Sequence, residues 1–440
     1  MIQSSAPLFL VIPFLLLLGM IATGPVLYHH FWERYYPHIA SGLAVGVISY
    51  YMFALGTPSP VVNALAEYIQ FITLITALYM VSGGILIEVD RQATPLANLL
   101  FLWVGAIASN FIGTTGASVL LIRPYIRLNG KGVAAYHIAF FIFMVSNVGG
   151  VLTPIADPPL VLGFLKGVPF LWTLRHGILP WLLALSLLSI IFYAIDSRKN
   201  KQSHTKDTTR KKSIRVRGGR HFLLFLVIIT AMFLDPNLLS WLPCLDYHGH
   251  RHSFLRELIL LAVALVAYWT GEKQVYAKND FSLDPLKEVI FIFIGIFTTM
   301  IPAIQLIADW AQSPAGQKII TPTMLYWSTG LFSSILDNAP TYLNFLAAGM
   351  GAKGLSIENY QDVLQYARDA ACYLRATSLG AVFFGAMSYI GNGPNFMVRA
   401  IAEEQGIKMP SFWGYILGYS LIYLLPVLLL VERIFVAMLC

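Results

Sequence analysis

The sequence predicts an all-α integral membrane protein of about ten to eleven transmembrane helices, arranged as two inverted repeats that each contain a re-entrant hairpin and a broken helix. Three observations support this prediction. The composition is strongly apolar, apolar runs of spanning length recur along the chain, and polar segments interrupted by glycine and proline occur twice at corresponding positions. Broken helices at matching places in two halves are typical of secondary transporters, whose binding sites lie near the bilayer midplane.

The composition excludes a soluble domain. Of the 440 residues, 57% are hydrophobic and 12% are charged, and the mean hydropathy is +0.68, whereas a soluble domain carries about 25% charged residues. A helix needs roughly 20 apolar residues to cross the hydrocarbon core. Such runs begin near Pro7, His38, Val61, Pro95, Val133, Leu174, His221, Phe254, Leu286, Thr323, Ala371 and Trp413. We therefore expect a multi-pass protein of the cell (inner) membrane, in contact with the lipid bilayer.

The order of the segments divides the chain into five parts. Residues 1–94 are predicted to form N-terminal scaffold helices, 95–196 the first repeat, 197–220 a basic linker, 221–285 the scaffold helices of the second half, and 286–440 the second repeat. The linker holds ten Lys and Arg residues between Arg198 and Arg220 against one acid, Asp207. A short loop with this charge bias is expected in the cytoplasm, and it explains the net charge of +7 without a nucleic-acid partner. Its low hydrophobicity predicts a flexible segment.

The two repeats are identified by their helix-breaking segments. One shift along the sequence superimposes residues 110–121 (NFIGTTGASVLL) on 334–345 (SILDNAPTYLNF), with Thr114 on Asn338. A slightly longer shift superimposes the end of 146–160 (SNVGGVLTPIADPPL) on 384–395 (FGAMSYIGNGPN), with Asp157 on Asn392. We expect the glycines and prolines of these segments to open the helices; they are Gly149, Gly150, Pro154, Pro158, Pro340, Gly391, Gly393 and Pro394.

Two aspartates, Asp157 and Asp337, lie inside these apolar segments. An ionised side chain is costly there and marks a candidate functional site. Each repeat supplies one aspartate, and the repeat-related positions, Asn392 and Gly113, are neutral. If the broken elements of inverted halves converge, both carboxyl groups approach one cavity, where burial favours the protonated form and a nearby cation favours the ionised form. The alternative is that either aspartate only caps the half-helix that follows it.

Neutral oxygens and amides surround the two aspartates along the sequence. Carbonyl, hydroxyl and carboxylate oxygens suit hard cations such as sodium, while half-helix N-termini attract anions, so these residues fit ion or carboxylate binding equally well. For any single Ser or Thr, a bond back to its own helix is the alternative. The predicted ion- or substrate-binding residues are Asp157, Asp337, Asn338, Asn110, Thr114, Thr115, Ser146, Asn147, Thr153, Ser334, Asn392 and Asn395. We expect no cofactor and no resident metal, only transported sodium ions and protons.

These segments resemble a known group of transporters. Residues 146–159 (SNVGGVLTPIADPP) resemble the motif SNIGG-x-x-(S/T)-P-I-G-D of NhaD-type sodium/proton antiporters, and 333–341 (SSILDNAPT) resemble their S-x-x-L-D-N-x-P/T hairpin tip. Residues 391–395 (GNGPN) and 109–118 (SNFIGTTGAS) are similar to the helix breaks of the wider ion transporter superfamily, which includes citrate, divalent-anion/sodium and ArsB-type arsenite carriers. The resemblance covers residues 95–167 and 286–406. It implies a scaffold, a mobile transport domain, elevator-type movement and a homodimer.

The chain departs from the antiporter pattern at three positions. Gly113 and Thr114 stand where the antiporters usually carry Asp-Asn, and Ala156 replaces the Gly before the aspartate. The transported ion is therefore left open. A sodium(cation)/proton antiporter acting through Asp157 and Asp337 is the first expectation, and a cation-coupled carrier of citrate, another carboxylate or another anion is the alternative.

An enzyme is not expected. An intramembrane aspartyl protease would also use two buried aspartates, but neither Asp157 nor Asp337 lies in a Tyr-Asp or Gly-x-Gly-Asp sequence. No Walker loop or Gly-x-Ser-x-Gly motif is present, which disfavours ATP-driven transport and serine hydrolysis.

Cysteines and isolated basic residues complete the sequence-based expectations. The spacings of Cys244, Cys372 and Cys440 predict neither a disulfide nor a zinc site. The segment 244–252 (CLDYHGHRH) contains possible metal ligands, but we interpret it as a polar loop. Four basic residues beside the motifs are expected to snorkel or to pair with helix C-termini; they are Arg123, Lys166, Arg375 and Arg399.

Overall fold

The computed structural model describes residues 7–90, 93–200, 213–234, 236, 239, 241–247, 250–279 and 281–440. The first half contains α1 (Ile12–Leu27), α2 (His29–Ser49), α3 (Ser59–Gly83), α4 (Pro95–Ile112), α5 (Thr114–Asn129), α6 (Ala135–Met144), α7 (Pro158–Lys166) and α8 (Trp172–Asn200). The second half contains α9 (Gly219–Ala231), α10 (Leu255–Thr270), α11 (Lys273–Lys278), α12 (Asp284–Thr299), α13 (Ile301–Gln312), α14 (Pro314–Ile319), α15 (Pro322–Ile335), α16 (Asn338–Gly351), α17 (Tyr360–Asp369), α18 (Ala371–Phe384), α19 (Gly393–Glu404), α20 (Phe412–Tyr415) and α21 (Leu425–Glu432).

Shorter helical turns connect or extend these helices. Turns of 3₁₀ helix lie at Leu8–Val11, Gly130–Gly132, Val148–Val151 and Gly385–Met387, and π-helical turns lie at Tyr50–Ala54, Ile416–Leu424 and Arg433–Met438. The strands are β1 (Leu86–Asp90), β2 (Ser213–Arg217), β3 (Leu245–Tyr247) and β4 (His250–His252). They form two antiparallel pairs, β1 with β2 and β3 with β4. The fold is otherwise all-α, as the sequence predicts.

Few helices span a membrane without interruption. Within the described ranges, four are long and apolar enough: α3, α4, α8 as far as Lys199, and the continuous helix Phe412–Met438. Two further pairs qualify if each is taken as one span, α12 with α13 at a bend of 42° and α17 with the helix after it at 96°. The number is below the predicted ten to eleven. Several apolar helices of the described ranges are shorter than 18 residues, namely Leu8–Gly24, Ala135–Val151 and Gly219–Ala231, so the predicted number of spans stays a prediction.

Packing divides the helices into two groups. Helix α2 packs on α1 and α12, and α3 packs on α10, α12 and α9. We call this group the scaffold; it includes α12, although the sequence placed residues from 286 onward in the second repeat. The second group contains hairpin 1 (α4 and α5), hairpin 2 (α15 and α16), broken helix 1 (α6 and α7) and broken helix 2 (α18 and α19). Within it, α15 and α16 pack on α18, α16 packs on α7, and α19 packs on α5.

Hairpin 1 turns at Gly113, whose φ of +79° lies in the left-handed region that favours glycine. The next backbone N–H, at Thr114, is the first of α5 and would have no partner within its own helix. It donates to the carbonyl of Ala156 in broken helix 1 (2.7 Å). The turn of hairpin 1 is therefore fixed against the break of the other element.

The open end of hairpin 1 lies against the end of α8. Asn98, near the start of α4, donates through Nδ2 to Asn129 Oδ1 at the end of α5 (2.8 Å) and to Asp196 Oδ2 near the end of α8 (3.0 Å). The basic linker follows α8 directly, so the open end of hairpin 1 lies on the linker's side of the molecule.

The open end of hairpin 2 lies at the other end of α8. Gly349, near the end of α16, packs against Leu325, near the start of α15, and against Tyr366 of α17. In the same helix α17, the carbonyl of Ala367 accepts a hydrogen bond from Nε1 of Trp172, the first residue of α8 (2.8 Å). The two hairpins thus open toward opposite ends of one long helix.

Two sequence-based expectations are wrong in the described residues. Residues 213–217 of the predicted flexible linker form β2, which pairs with β1 in the register Leu86 to Arg217 through Asp90 to Ser213; residues 201–212 of the linker lie outside the described ranges. Cys372 and Cys440 form a disulfide, although their separation in sequence gave no sign of it. The fold brings the start of α18 and the end of the last helix together.

The histidine-containing segment 244–252 forms β3, β4 and their connection. The side chains of its histidines and of Asp246 lie outside the described part of the structure. The metal site in this segment therefore stays a hypothesis from the sequence. Elsewhere in the described residues, no cluster of three or more His, Cys, Asp or Glu side chains is arranged to hold a metal ion.

Candidate functional site

Asp157 lies where all four broken elements meet. It immediately precedes α7, and its side chain is buried, with 1% of the residue exposed. Its Oδ1 accepts hydrogen bonds from Thr114 Oγ1 of hairpin 1 (2.7 Å) and from Asn392 Nδ2 of broken helix 2 (3.1 Å). Its Oδ2 accepts one from Asn338 Nδ2 of hairpin 2 (2.7 Å). One carboxylate therefore connects the two halves of the chain.

The local sequence explains why Asp157 reaches away from its own helix. An aspartate at the N-cap normally accepts a bond from the backbone N–H of the second or third helical residue. The second residue of α7 is Pro159, which has no N–H, and the N–H of Leu160 is used by the Asp157 carbonyl (3.0 Å). With no backbone donor left to it, the Asp157 carboxylate turns to the three side chains.

Asp337 behaves in the opposite way. It also precedes a half-helix, α16, but the second residue there is Ala339, whose N–H donates to Asp337 Oδ1 (3.0 Å). Asp337 is thus a helix cap, which is the alternative that the sequence left open for each aspartate. It is adjacent in sequence to Asn338 and adds negative charge beside Asp157. No Lys, Arg or His of the described chain forms an ion pair with either aspartate.

The contrast between Asp157 and Asp337 predicts that a single proline, Pro159, controls the direction of the Asp157 carboxylate. Pro159→Ala supplies an N–H at the second position of α7, and we expect the carboxylate to be drawn partly into capping. Sodium affinity should fall several-fold, because in part of the protein population Asp157 loses its contacts to Thr114 and Asn338. Pro158→Ala is the matched control, since the first helical N–H does not take the side-chain cap. Equal affinities for the two variants, measured by calorimetry, would show that the missing N–H is irrelevant.

Asn338 has one unused oxygen. Its Nδ2 donates to Asp157, while its Oδ1 is buried without a hydrogen-bond partner. A buried amide oxygen without a partner costs free energy, of the order of 1–3 kcal/mol. An unpartnered oxygen beside a carboxylate is suited to a cation.

The asparagines behind this centre join the two broken helices. Asn392 Nδ2 also donates to Asn147 Oδ1 (3.1 Å) and to the Ser146 carbonyl (3.2 Å). Asn147 Nδ2 donates to Asn395 Oδ1 (2.7 Å), and Asn395 Nδ2 donates to the carbonyls of Gly385 (2.7 Å) and Ser388 (2.9 Å). The side-chain NH₂ groups of Asn147, Asn392 and Asn395 all donate to protein acceptors, so we interpret these residues as positioning the centre.

Asn110 and Thr153 join hairpin 1 to broken helix 1. Asn110 Nδ2 donates to the Gly149 carbonyl (2.7 Å), and Asn110 Oδ1 accepts from the N–H of Leu152 (2.9 Å). Thr153 Oγ1 donates to the Asn110 carbonyl (2.6 Å). The Ser146 hydroxyl bonds to that of Ser118 at 2.7 Å. These side chains connect the two elements at their breaks, and none of their described hydrogen bonds goes to Asp157.

Two predicted residues lie apart from the centre. Thr115 lines a separate small cavity of about 40 Å³ with Ser82 and Asn279. Ser334 Oγ donates back to the Leu331 carbonyl (2.7 Å), which is the helix-bonded alternative expected for a single serine. Ser388 is not among the residues predicted from the sequence, and its Oγ donates to the Ser334 carbonyl. Its position under the longer repeat shift, opposite Thr153, was the signal that could have identified it.

The helix-breaking residues lie where the helices begin or end. Pro158 begins α7, Pro340 lies in the first turn of α16, and Gly393 and Pro394 begin α19. Gly149 and Gly150 lie in the 3₁₀ turn after α6, and Pro154 follows that turn. A Cβ at Gly391 would come within 2.6 Å of the Ser333 carbonyl oxygen, so the backbones of the two second-half elements approach too closely there for any other residue.

Four half-helix N-termini converge on the centre. Helices α5, α7, α16 and α19 begin at or directly after Thr114, Asp157, Asn338 and Asn392 respectively. Each N-terminus carries a partial charge of about +0.5. The sum is of the order of the two negative charges of Asp157 and Asp337, so the site combines carboxylate oxygens with a field that also accepts anions.

Comparisons with known proteins agree with this architecture. A family model described as "Putative citrate transport" matches residues 3–436. A 46 kDa membrane protein of Mycobacterium leprae is 22% identical over 346 residues, covering 74% of this chain and 73% of the relative. An uncharacterized transporter of Mycobacterium tuberculosis is 22% identical over 358 residues, with the same coverage. The chain is therefore a multi-pass membrane protein that belongs to this citrate transporter-like family.

Proposed function

We propose that this protein is a secondary active transporter that exchanges sodium for protons at Asp157. The observation that carries the proposal is the buried Asp157 carboxylate, which pairs with no basic side chain in the described part of the chain and receives one side chain from each of the three other broken elements. Thr114 Oγ1, the Asp157 carboxylate and the unpartnered Asn338 Oδ1 are the oxygen types that hard cations prefer.

Competition for one carboxylate is sufficient for antiport. A carboxylate in a dry site is neutralised either by a proton or by a bound cation, since leaving it ionised and alone is costly. Sodium and a proton cannot both neutralise the same group, so the binding of one releases the other. Exposing the group alternately to the two sides of the membrane then exchanges the ions.

Two further observations support an inverted-repeat arrangement with a mobile unit. The four residues at the centre form the two pairs that the sequence shifts superimpose, Thr114 with Asn338 and Asp157 with Asn392. The hairpins also open toward opposite ends of α8, as expected of units inserted in opposite orientations. We propose that they move with the broken helices against the scaffold in an elevator-type cycle; a homodimer and a cytoplasmic linker stay predictions from the sequence.

A cation-coupled carboxylate carrier is the second candidate. The four converging N-termini and the description of the family favour it. Asp157 opposes it, because each substrate carboxylate placed about 4 Å from Asp157 costs about 4 kcal/mol at an effective dielectric of 20. Such a carrier would have to bring compensating cations or protonate Asp157.

Transport by the purified protein in proteoliposomes with an internal pH dye separates the two candidates. For the antiporter, an imposed sodium or lithium gradient should drive protons in the opposite direction, and citrate alone should do nothing. Citrate binding in the absence of sodium and divalent metal, together with no proton movement driven by sodium, would refute the antiporter and establish the carrier.

A further inference from the structure

Lys166 occupies the opposite end of the half-helix that carries Asp157. It is the last residue of α7, and a helix rise of 1.5 Å per residue places it roughly 13 Å from Asp157 along the axis. Contrary to the snorkelling expected from the sequence, its side chain is only 6% exposed. Its Nζ lies 2.8 Å from Glu67 Oε1 and 2.7 Å from Glu358 Oε1. One buried ammonium is thus shared by two carboxylates.

The two carboxylates belong to different parts of the fold. Glu67 is on α3, which packs against the scaffold helices α10 and α12. Glu358 lies between hairpin 2 and α17, and this region is attached to α7 by further contacts. Tyr342 of α16 packs on Gly163, and the ring of Tyr360 packs on Gly167. Lys166 therefore joins α7 both to the scaffold and to its own group of elements.

A cavity of about 840 Å³ opens beside this ion-pair cluster. Glu67 and Asn63 of α3 line it together with Gln305 and Asp309 of α13, and Lys166 and Glu358 also contribute to the lining. Apolar side chains such as Phe297 and Ile304 line it as well. Separation of α3 from the end of α7 would leave Glu67 at this cavity, which the polar side chains of Asn63 and Gln305 also line.

We propose that the Lys166–Glu67 ion pair is a releasable tie that must break and re-form in each transport cycle, and that these two residues are further functional residues of the transporter. The inference rests on the proposed movement of α7 relative to the scaffold. Since α7 carries Asp157 at one end and Lys166 at the other, displacement of the ion site along the scaffold displaces Lys166 from Glu67. The pair stabilises the arrangement in which the cavity lies beside α7.

Glu358, the third member of the ion-pair cluster, makes the Lys166–Glu67 tie reversible. Removing one partner from a buried ion pair normally leaves an uncompensated charge. When Lys166 separates from Glu67, it can retain its pair with Glu358, which is 44% exposed, and Glu67 can be solvated at the cavity that it lines. Neither charge is stranded, so the tie opens without the full penalty of a broken buried pair.

Crosslinking provides the test, in a background with Cys244, Cys372 and Cys440 replaced by serine. One variant carries Glu67→Cys with Lys166→Cys, and the matched control carries Glu358→Cys with Lys166→Cys. The sulfur separation in each variant depends on the backbone positions and not on the length of the ion pair, so bifunctional thiol reagents of graded length are used for both. The transport rate of each variant is compared before and after crosslinking, with the ion that the uncrosslinked protein carries.

We expect the 67–166 crosslink to reduce transport at least tenfold, with recovery on cleavage of the linker, and the 358–166 crosslink to change it less than twofold. Unimpaired transport after the 67–166 crosslink, or equal losses in both variants, would overturn the inference.

A spin-label measurement at the same positions does not depend on the transported ion. Labels at 67 and 166 should show two distance populations, one short and one longer, while labels at 358 and 166 should show a single short one. If the native protein carries neither sodium, lithium nor citrate, the proposed function fails, and the spin labels still decide about the tie. A single short population for both pairs would overturn it.

Discussion

Replacement of Asp157 by asparagine is expected to abolish transport while the protein still folds. The amide has the shape of the carboxylate but no charge, so it can neither bind a proton in exchange for a cation nor balance a cation. Its Oδ1 can still accept from Thr114 and Asn392. Its NH₂ group then faces Asn338, which can rotate and accept through the Oδ1 that is without a partner in the native site. We therefore expect a loss of at least 100-fold in exchange rate with a nearly unchanged melting temperature.

The matched control is Asp337→Asn. Asparagine caps helices about as well as aspartate, so the bond from the Ala339 N–H is preserved. Transport should persist, with lower sodium affinity and a shifted pH profile, because one negative charge near Asp157 is removed. Dye-based exchange in proteoliposomes measures both variants. Asp157→Asn transport at the native rate would remove this residue from the mechanism.

Asn338→Ala is expected to have the second largest effect. It removes the donor to Asp157 Oδ2 and the unpartnered oxygen at once. A hydrogen bond to a charged group contributes about 1.5–3 kcal/mol, which corresponds to a loss of roughly 10- to 150-fold in affinity at 1.4 kcal/mol per factor of ten. We expect sodium affinity to fall by this order, while a saturating sodium concentration restores most of the rate.

Asn344→Ala supplies the comparison within the same helix. Asn344 is also buried on α16, its Nδ2 donates to the Pro340 carbonyl (2.8 Å), and its Oδ1 is also without a partner. It makes no contact with Asp157 among the described hydrogen bonds. Calorimetry of sodium binding should separate the two variants by about tenfold or more. Similar losses would mean that Asn338 acts through the stability of hairpin 2 and not as a ligand.

The site explains why family membership does not identify the substrate. The converging helix N-termini would suit a carboxylate substrate, but Asp157 already occupies the position toward which they point. Under the proposed function, this carboxylate turns an anion-attracting field into a cation-binding centre, and a single side chain at the start of α7 sets the preferred charge.

The membrane class and the positions of the breaks could be predicted from the sequence. Both depend on local properties, since hydropathy sets which segments avoid water, and glycine and proline set where a helix stops. The contrast between Pro159 and Ala339 is also local, and it explains why Asp157 is free to reach other elements while Asp337 caps its own helix. The distinction follows from the sequence, because proline lacks a backbone N–H and alanine has one.

Which polar residues meet could not be predicted from the sequence, because it depends on tertiary packing. Asp157 binds Asn338 and Asn392 across 181 and 235 positions of sequence, while Thr115, next to Thr114, faces a different cavity. The Cys372–Cys440 disulfide and the Lys166 ion pairs were missed for the same reason. Local propensity fixes where a segment bends and what it can donate, but the partner of a buried polar group is chosen by the packing of distant helices, which must leave few such groups unpaired.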